Sequence, residues 1–370
     1  MNPAVMPSLA ENFMATDNLI VMGAVLVLCL PFVLLQNRVP HLAKDLHIED
    51  EQAIHQRPTP RYGGLGIAGA MALGILLTEG ESQILFGLFM LSALPIFLAG
   101  LAEDAGLRVS PKKRLLIAAI SGALALWLLK TWVMRVDIPF LDPLFAFTPL
   151  AILFTVFATS GFCHAFNLVD GLNGLSAGTG IVIAVGLTCL ATRTEAYALL
   201  PMLYFLIFAL IGFLLINYPH GRIFMGDSGA YSLGHLLAWS TIWICGQAEN
   251  MTAWAVLLVL AWPVADTTLA IYRRRVLGRA HDEPDRLHYH QLVMRTLEIL
   301  WLTKKRRHIS NPLATLVLFP LIVAPVWAGL LFWEHPFGAF LSLVVFVVIF
   351  LGSYKFLLWL ARGRKRLSKI

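Results

Sequence analysis

Long apolar runs dominate this sequence and alternate with short charged segments. A bilayer core about 30 Å thick is crossed by a helix of about 20 apolar residues. The pattern therefore predicts an all-α polytopic membrane protein, with 1–370 forming a single integral membrane domain. About eleven transmembrane helices are predicted, at 18–36, 63–79, 83–101, 115–130, 149–168, 175–193, 197–217, 229–247, 252–272, 312–332 and 337–360.

The composition excludes several classes of protein. Of the 370 residues, 58% are hydrophobic and 14% are charged, and the mean hydropathy is +0.74. One soluble domain of this length could not bury so much apolar surface, so a soluble enzyme, a disordered chain and a disulfide scaffold are excluded. Cys29, Cys163, Cys189 and Cys245 all lie in apolar runs, where we expect them to pack as small hydrophobic side chains.

The positive charge lies on one side of the predicted bundle. The loops after odd-numbered spans and the C-terminal tail hold 24 of the 28 Lys and Arg residues, whereas the opposite face holds Lys130, Arg135 and Arg193. The positive-inside rule then places the N-terminus outside and the C-terminus in the cytoplasm. This topology accounts for the net charge of +6, so no nucleic-acid partner is expected. The segment 273–311 is predicted to be a long cytoplasmic basic loop.

Four carboxylates fall on this cytoplasmic face although they come from three separate loops. They are Glu103, Asp104, Asp170 and Asp227. Acids at membrane depth are costly and by default mark a functional site. Asp227 has glycines on both sides and only Arg222 as a basic neighbour, so we expect its charge to be available to a cation. Oxygen ligands favour a hard ion such as Mg²⁺, but a helix cap or a salt bridge is the alternative for each acid.

Histidines and a further acid lie towards the C-terminal third of the chain. Arg286, His288 and His290 alternate, so in an extended segment they share one face. Such donors suit a pyrophosphate, and contact with anionic lipid headgroups is the alternative. Asp266 precedes Arg273 by about 10 Å of helix. It is expected either to pair with Arg273 or a neighbouring helix, or to have a function.

Residues 64–69 match the dinucleotide-binding pattern of three spaced glycines. That fingerprint requires a preceding strand, and here it opens an apolar helix instead. We therefore predict that these glycines serve close packing between helices.

Five segments resemble, in order, the motifs of the polyprenyl-phosphate N-acetylhexosamine-1-phosphate transferases, which form glycosyltransferase family 4. The segments are 55–66, 103–104, 167–174, 224–229 and 286–290. The resemblance implies an all-helical membrane enzyme that transfers a sugar 1-phosphate from a UDP-sugar to a membrane polyprenyl phosphate and releases UMP. It implies Mg²⁺ as cofactor, with Mn²⁺ as a substitute.

The resemblance also implies roles for the acids. Asp227 would hold the metal ion, and Asp104 or Asp170 would deprotonate or orient the lipid phosphate. Glu103 stands where many members of the family have Asp. It remains a catalytic candidate, but Asp104 is favoured over it as the base.

Substrate contacts implied by the resemblance come from the other motifs. Phe224 would stack on uracil and Asn173 would bind its edge, although many members have Asp at that position. His288 and His290 would contact the diphosphate. The full predicted substrate-binding set is Asn167, Asn173, Phe224, Arg286, His288 and His290.

The His-Tyr-His arrangement at 288–290 resembles the N-acetylglucosamine branch, which starts O-antigen, teichoic or related glycans. The expected acceptor is undecaprenyl phosphate in the inner membrane, with the active site on the cytoplasmic face, and a homodimer is allowed. The alternatives are another UDP-amino sugar or UDP-MurNAc-pentapeptide as donor. A secondary transporter is the alternative of another class, but its substrate site would lie near the midplane.

Overall fold

The computed structural model describes residues 15–36, 59–276 and 288–367. Within these ranges the chain is helical and contains no strand. The helices are α1 (Thr16–Leu35), α2 (Gly63–Leu76), α3 (Gly80–Asp104), α4 (Pro111–Leu129), α5 (Asp142–Phe145), α6 (Thr148–Val169), α7 (Leu175–Arg193), α8 (Leu200–Asn217), α9 (Gly226–Gln247), α10 (Ala253–Val259), α11 (Ala261–Val276), α12 (Tyr289–Leu297), α13 (Arg307–Leu331) and α14 (Pro336–Leu367).

Every predicted span coincides with helix, which confirms the all-α, multi-pass architecture. Among the described residues, seven helices are long and apolar enough to cross a membrane: α1, α3, α6, α7, α8 with the turn before it, α13 and α14. The bent pair α10–α11 would be an eighth. Helix α2 has only 14 residues, and α4 has three basic residues directly after its first residue, Pro111. The count of eleven crossings and the orientation of the termini therefore remain predictions.

The predicted span 252–272 is not one straight helix. It is bent by 81° between α10 and α11. Pro263 explains the break, because a proline lacks the N–H that would bond to the carbonyl four residues earlier and its ring clashes with that carbonyl. Here the carbonyl belongs to Val259, the last residue of α10. Helix α11 then packs beside α6 and carries Asp266 into the interior.

Helix α9 lies at the centre of the bundle, in contact with α2, α3, α6 and α7. Small residues allow its N-terminal end to approach α2 closely. A side chain at Gly64 would collide with the backbone of Gly229, and one at Gly66 would collide with Cys29. The prediction that these glycines serve helix packing is confirmed. The four cysteines are free, as expected.

The segment 273–311, which was predicted as a long cytoplasmic basic loop, is largely helical within the described residues, and its cytoplasmic position remains a prediction. Helix α11 runs to Val276, residues 277–287 lie outside the described ranges, and α12 and the start of α13 occupy most of the rest. Leu292, Val293 and Leu297 form an apolar face on α12 that packs against α13 and α14. Helix α12 has only nine residues, so the basic charge around it concealed the helical pattern.

Candidate active site

Asp104 is the last residue of α3 and contacts the first turn of α9. Its side chain has no exposed surface. One carboxylate oxygen accepts the backbone N–H of Asp227 at 2.8 Å, and the other accepts the backbone N–H and the hydroxyl of Ser228 at 2.9 and 2.7 Å. The first N–H groups of a helix lack partners within the helix, and a negative charge there is favourable. Asp104 therefore caps α9 from another helix.

Asp227 lies in the first turn of α9 rather than in a loop. Its Oδ1 accepts Nη2 of Arg61 at 2.9 Å and Nδ2 of Asn167 at 3.3 Å, and its Oδ2 pairs with Arg114. The expectation that its charge had no basic partner beyond Arg222 is wrong. The two arginines are 166 and 113 residues away along the chain, so the local sequence gives no sign of them.

Arg61 reaches this position because the segment before α2 docks on the segment before α9. Phe224 N donates to Pro60 O at 2.8 Å, and Gly63 N donates to Phe224 O at 2.9 Å. Gly226 has a φ of +75°, and a Cβ there would collide with the carbonyl of Arg61 and lie 2.6 Å from Asp104 Oδ2. Only glycine fits where these segments meet.

We expect Gly226→Ala to lower the free energy of unfolding by about 2 kcal/mol, because it combines a strained φ with a backbone collision. Thermal unfolding of the purified protein measures this change. Gly87→Ala is the matched control, since a Cβ at that helical position meets nothing within 4 Å. Equal stability of the two variants would contradict the assigned packing.

Asp170 follows directly after α6 and is partly buried. Burial raises the pKa of its carboxyl group to about 7; Asp227 and Asp104 add to the rise, and Arg61 opposes it. An acid that titrates near neutral pH is suited to take up a proton during a reaction.

Glu103, the neighbour of Asp104, has a local contact. Its Oε2 accepts the backbone N–H of Val109 at 2.5 Å and so closes the loop between α3 and α4. Of the two adjacent acids, Asp104 is therefore the one that contacts the first turn of α9.

Asn173 and Phe224 lie on two loops that contact each other. Asn173 is buried, and its Nδ2 donates to Pro219 O at 2.8 Å, while its backbone N–H donates to Asn311 at 2.8 Å. Its Oδ1 has no hydrogen-bond partner among the described residues. Phe224 is partly buried. The uracil contacts of both residues remain predictions.

The two histidines meet at the start of α12 rather than in an extended segment. His288 is the N-cap residue, and His290 lies in the first turn. Their rings stack with centroids 5.6 Å apart. Both Nδ1 atoms face Asp266, at 3.4 Å for His288 and 3.3 Å for His290. Arg286, the third member of the predicted group, lies outside the described residues.

Asp266 pairs with the neighbouring helix α12 rather than with Arg273, and these were the two partners expected for it if it paired. Arg273 instead donates to the hydroxyl of Tyr354 at 2.8 Å. The sequence signal for a role of Asp266 was an acid within an apolar run. Its partners could not be inferred, because the chain bends before it and α12 was read as loop.

The carboxylate cluster and the histidine pair border the same loop. An ideal Cβ on Gly171 would lie 2.5 Å from Nε2 of His290, so this ring packs against the backbone beside Asp170. The structure thus brings together Asp104, Asn167, Asp170, Asp227, His288 and His290. It adds Arg61 and Arg114, which the sequence did not single out, and Asp266, whose partners the sequence left open. Acids, arginines and imidazoles at one end of a membrane bundle are typical of an enzyme that handles phosphate groups.

Comparison with known proteins specifies that class. The sequence profile of Glycosyl transferase family 4 matches residues 85–245. A probable undecaprenyl-phosphate N-acetylglucosaminyl 1-phosphate transferase of Bacillus subtilis (strain 168) is 30% identical over 252 residues, which cover 65% of this chain and 67% of that protein. The chain belongs to glycosyl transferase family 4.

The names of two further relatives give different substrates from each other. A decaprenyl-phosphate N-acetylglucosaminephosphotransferase of Mycolicibacterium smegmatis (strain ATCC 700084 / mc(2)155) is 28% identical over 66% of this chain and 67% of that protein. A phospho-N-acetylmuramoyl-pentapeptide-transferase of Leuconostoc citreum (strain KM20) is 28% identical over 61% of this chain and 76% of that protein.

Proposed function

We propose that this protein transfers N-acetylglucosamine 1-phosphate from UDP-N-acetylglucosamine to undecaprenyl phosphate, releases UMP and so starts the synthesis of a cell-surface glycan. The observation that carries the proposal is the cluster around Asp227, in which Arg61 and Arg114 from separate elements meet at the end of a membrane bundle. The names of the related proteins from Bacillus subtilis and Mycolicibacterium smegmatis support the choice of sugar and lipid.

Phosphoryl transfer requires mainly that two anions are positioned and that developing negative charge is neutralised. Arg61 and Arg114 supply two guanidinium groups whose side chains remain 27% and 17% exposed, so they can contact an incoming phosphate. His288 and His290 supply imidazole groups on the other side of the loop that contains Gly171. These side chains would contact the diphosphate, while the polyprenyl chain stays in the bilayer.

Asp170 is the best candidate for the base that acts on the lipid phosphate. A phosphate monoester loses its second proton with a pKa of about 6, and Asp170, with a pKa of about 7, can accept that proton. Asp104 is less suited, because three donors from α9 already occupy its carboxylate. In this proposal Asp104 holds the first turn of α9 in place and Asp170 takes the proton at its carboxylate.

We expect the rate to fall as pH drops through about 7, because Asp170 must be deprotonated to act as base. The groups that act on its charge are Asp104, Asp227, Arg61 and Ser176. A pH series of UMP release tests this. In Asp170→Asn the rate should be low. The fall in rate at low pH should then follow the pKa of the acceptor phosphate, about 6. An unchanged profile would exclude Asp170 as the base.

Mg²⁺ is the proposed cofactor, with Asp227 as its protein ligand. Among the described residues, no three or more His, Cys, Asp or Glu side chains are grouped to hold a metal ion. Mg²⁺ often takes only one or two carboxylates and completes its shell with water and substrate phosphates, so a single carboxylate fits this mode. When bound, the ion would neutralise charge on the donor diphosphate. Arg61 and Arg114 would then turn from Asp227 to the phosphates.

We propose that the protein lies in the inner membrane and that its active site is on the cytoplasmic face. Lys112 is exposed at the site end of α4, and Glu249 is exposed in the turn after the far end of α9. A cysteine at Lys112 should react with an impermeant thiol reagent only in inverted vesicles, and a cysteine at Glu249 only in intact cells. The wild-type protein, whose four cysteines lie in apolar helices, gives the background. The reverse pattern would invert the topology. A homodimer remains a prediction.

The donor is tested by a panel of UDP-sugars with undecaprenyl phosphate and purified protein, with UMP release as the readout. We expect UDP-N-acetylglucosamine to give the highest kcat/KM. A preference for UDP-MurNAc-pentapeptide would move the protein to the activity that the name of the Leuconostoc citreum relative gives. Substrate uptake without UMP release would favour a transporter.

A further inference from the structure

Asp266 is a buried acid outside the cluster around Asp227. It lies on α11, is 1% exposed and meets a separate element of the chain, the start of α12. Its Oδ1 accepts the backbone N–H of Tyr289 at 2.9 Å. Its Oδ2 lies 3.3 Å from Nδ1 of His290 and 3.4 Å from Nδ1 of His288. One carboxylate therefore contacts three consecutive residues.

This contact determines how the His290 imidazole is protonated. Nδ1 of His290 lies 3.3 Å from Oδ2 of Asp266 and forms a hydrogen bond with it, whereas Nδ1 of His288, at 3.4 Å from the same oxygen, has no hydrogen-bond partner among the described residues. A nitrogen that faces a carboxylate carries the hydrogen, because the carboxylate only accepts. Nδ1 of His290 therefore carries a hydrogen, and Nε2 lies on the other side of the ring, against the backbone of Gly171 next to Asp170.

The carboxylate also sets the charge that the histidine pair can hold. Burial of an uncompensated charge is costly. With both rings neutral, the three side chains carry one negative charge, and one added proton makes the group neutral. Burial lowers the pKa of the His290 imidazole, and Asp266 opposes that change. Without the carboxylate, a proton on either buried ring would have no opposite charge beside it.

We propose that Asp266 is a positioning residue for the transfer reaction. It accepts the Nδ1–H of His290, so that Nε2 takes up the second proton of the ring and can donate it in a hydrogen bond to the donor diphosphate. The inference rests on the proposed function for the identity of that ligand. Asp266 itself does not touch the substrate, and it acts through the His290 ring.

The kinetic test compares Asp266→Asn with Ser353→Ala. Ser353 on α14 accepts the hydroxyl of Tyr289 at 2.8 Å, so its loss loosens the same segment without affecting the histidines. Removal of such an orienting partner typically lowers activity by about 10- to 100-fold. We expect Asp266→Asn to lower kcat by that factor with little change in KM for the UDP-sugar, and Ser353→Ala to change kcat by less than about threefold.

A double-mutant cycle separates positioning from general damage. If Asp266 acts through the ring, His290→Ala should cost about 10²-fold or more in the wild-type background. In the Asp266→Asn background its cost should be smaller by the factor, about 10 to 100, that Asp266→Asn alone removes. Equal costs in both backgrounds would overturn the proposal. So would Asp266→Asn with the same kcat as Ser353→Ala.

A spectroscopic measurement keeps the test independent of the variant's folding and of the substrate. Nitrogen NMR of the wild-type protein, assigned with His288→Ala and His290→Ala, should show a protonated Nδ1 in the His290 ring. An unprotonated Nδ1 in this ring would overturn the proposal even if Asp266→Asn fails to fold. If the wild-type protein releases no UMP but shows this ring state, the proposed function fails and the Asp266 arrangement stands.

Discussion

Asp227→Asn should lower transferase activity by about 10²- to 10³-fold or more, because it removes the charge at the centre of the site. In the structure this carboxylate holds Arg61, Arg114 and Asn167. Under the proposed function it also binds Mg²⁺. The substitution keeps the size and one acceptor oxygen but removes the negative charge. The residual rate should therefore no longer respond to Mg²⁺ concentration.

The measurement is a Mg²⁺ titration of UMP release, made beside thermal unfolding of the same preparation. Asp142→Asn is the matched control, because Asp142 is the first residue of α5, away from the site, where it accepts the backbone N–H of Val136 at 2.8 Å. It should retain both its activity and its Mg²⁺ response. An active Asp227→Asn variant with an unchanged Mg²⁺ response would exclude Asp227 as the metal ligand.

His290→Ala should lower kcat by about 10²- to 10³-fold, since it withdraws a donor from the developing negative charge on the diphosphate. The ring is 1% exposed and packs between Asp266 and the backbone of Gly171. Its removal also leaves a cavity, so some loss of stability is expected in addition.

His308→Ala is the control for this variant. His308 is exposed on the first turn of α13, so its loss should change neither activity nor stability measurably. Steady-state kinetics together with thermal unfolding separate the two effects of His290→Ala. A His290→Ala protein with normal turnover would assign this ring to packing alone.

The helices were predictable because bilayer thickness constrains them strongly. A run such as 175–193 has the same limits in the sequence and in the structure. The same regularity predicted the face on which Asp104, Asp170 and Asp227 meet, since the ends of alternate spans lie on one side. The count of spans was therefore enough to predict that these acids share a site.

The partners of these acids were not predictable, because they depend on contacts between distant segments. Arg61 reaches Asp227 only through the backbone pairing of its segment with Phe224 and the absence of a side chain at Gly226. Asp266 reaches His290 only because the chain bends at the position of Pro263. Neither the pairing nor the bend leaves a periodic pattern in the sequence.

The central claim is that a sugar 1-phosphate, rather than a sugar alone, is transferred to the lipid. Purified protein is incubated with undecaprenyl phosphate and UDP-N-acetylglucosamine that carries one label on the β-phosphate and another in the sugar. We predict that both labels enter the lipid fraction in equal amounts and that unlabelled UMP is released. A lipid product that carries only the sugar label, with release of labelled UDP, would contradict the account, as would the absence of any labelled lipid.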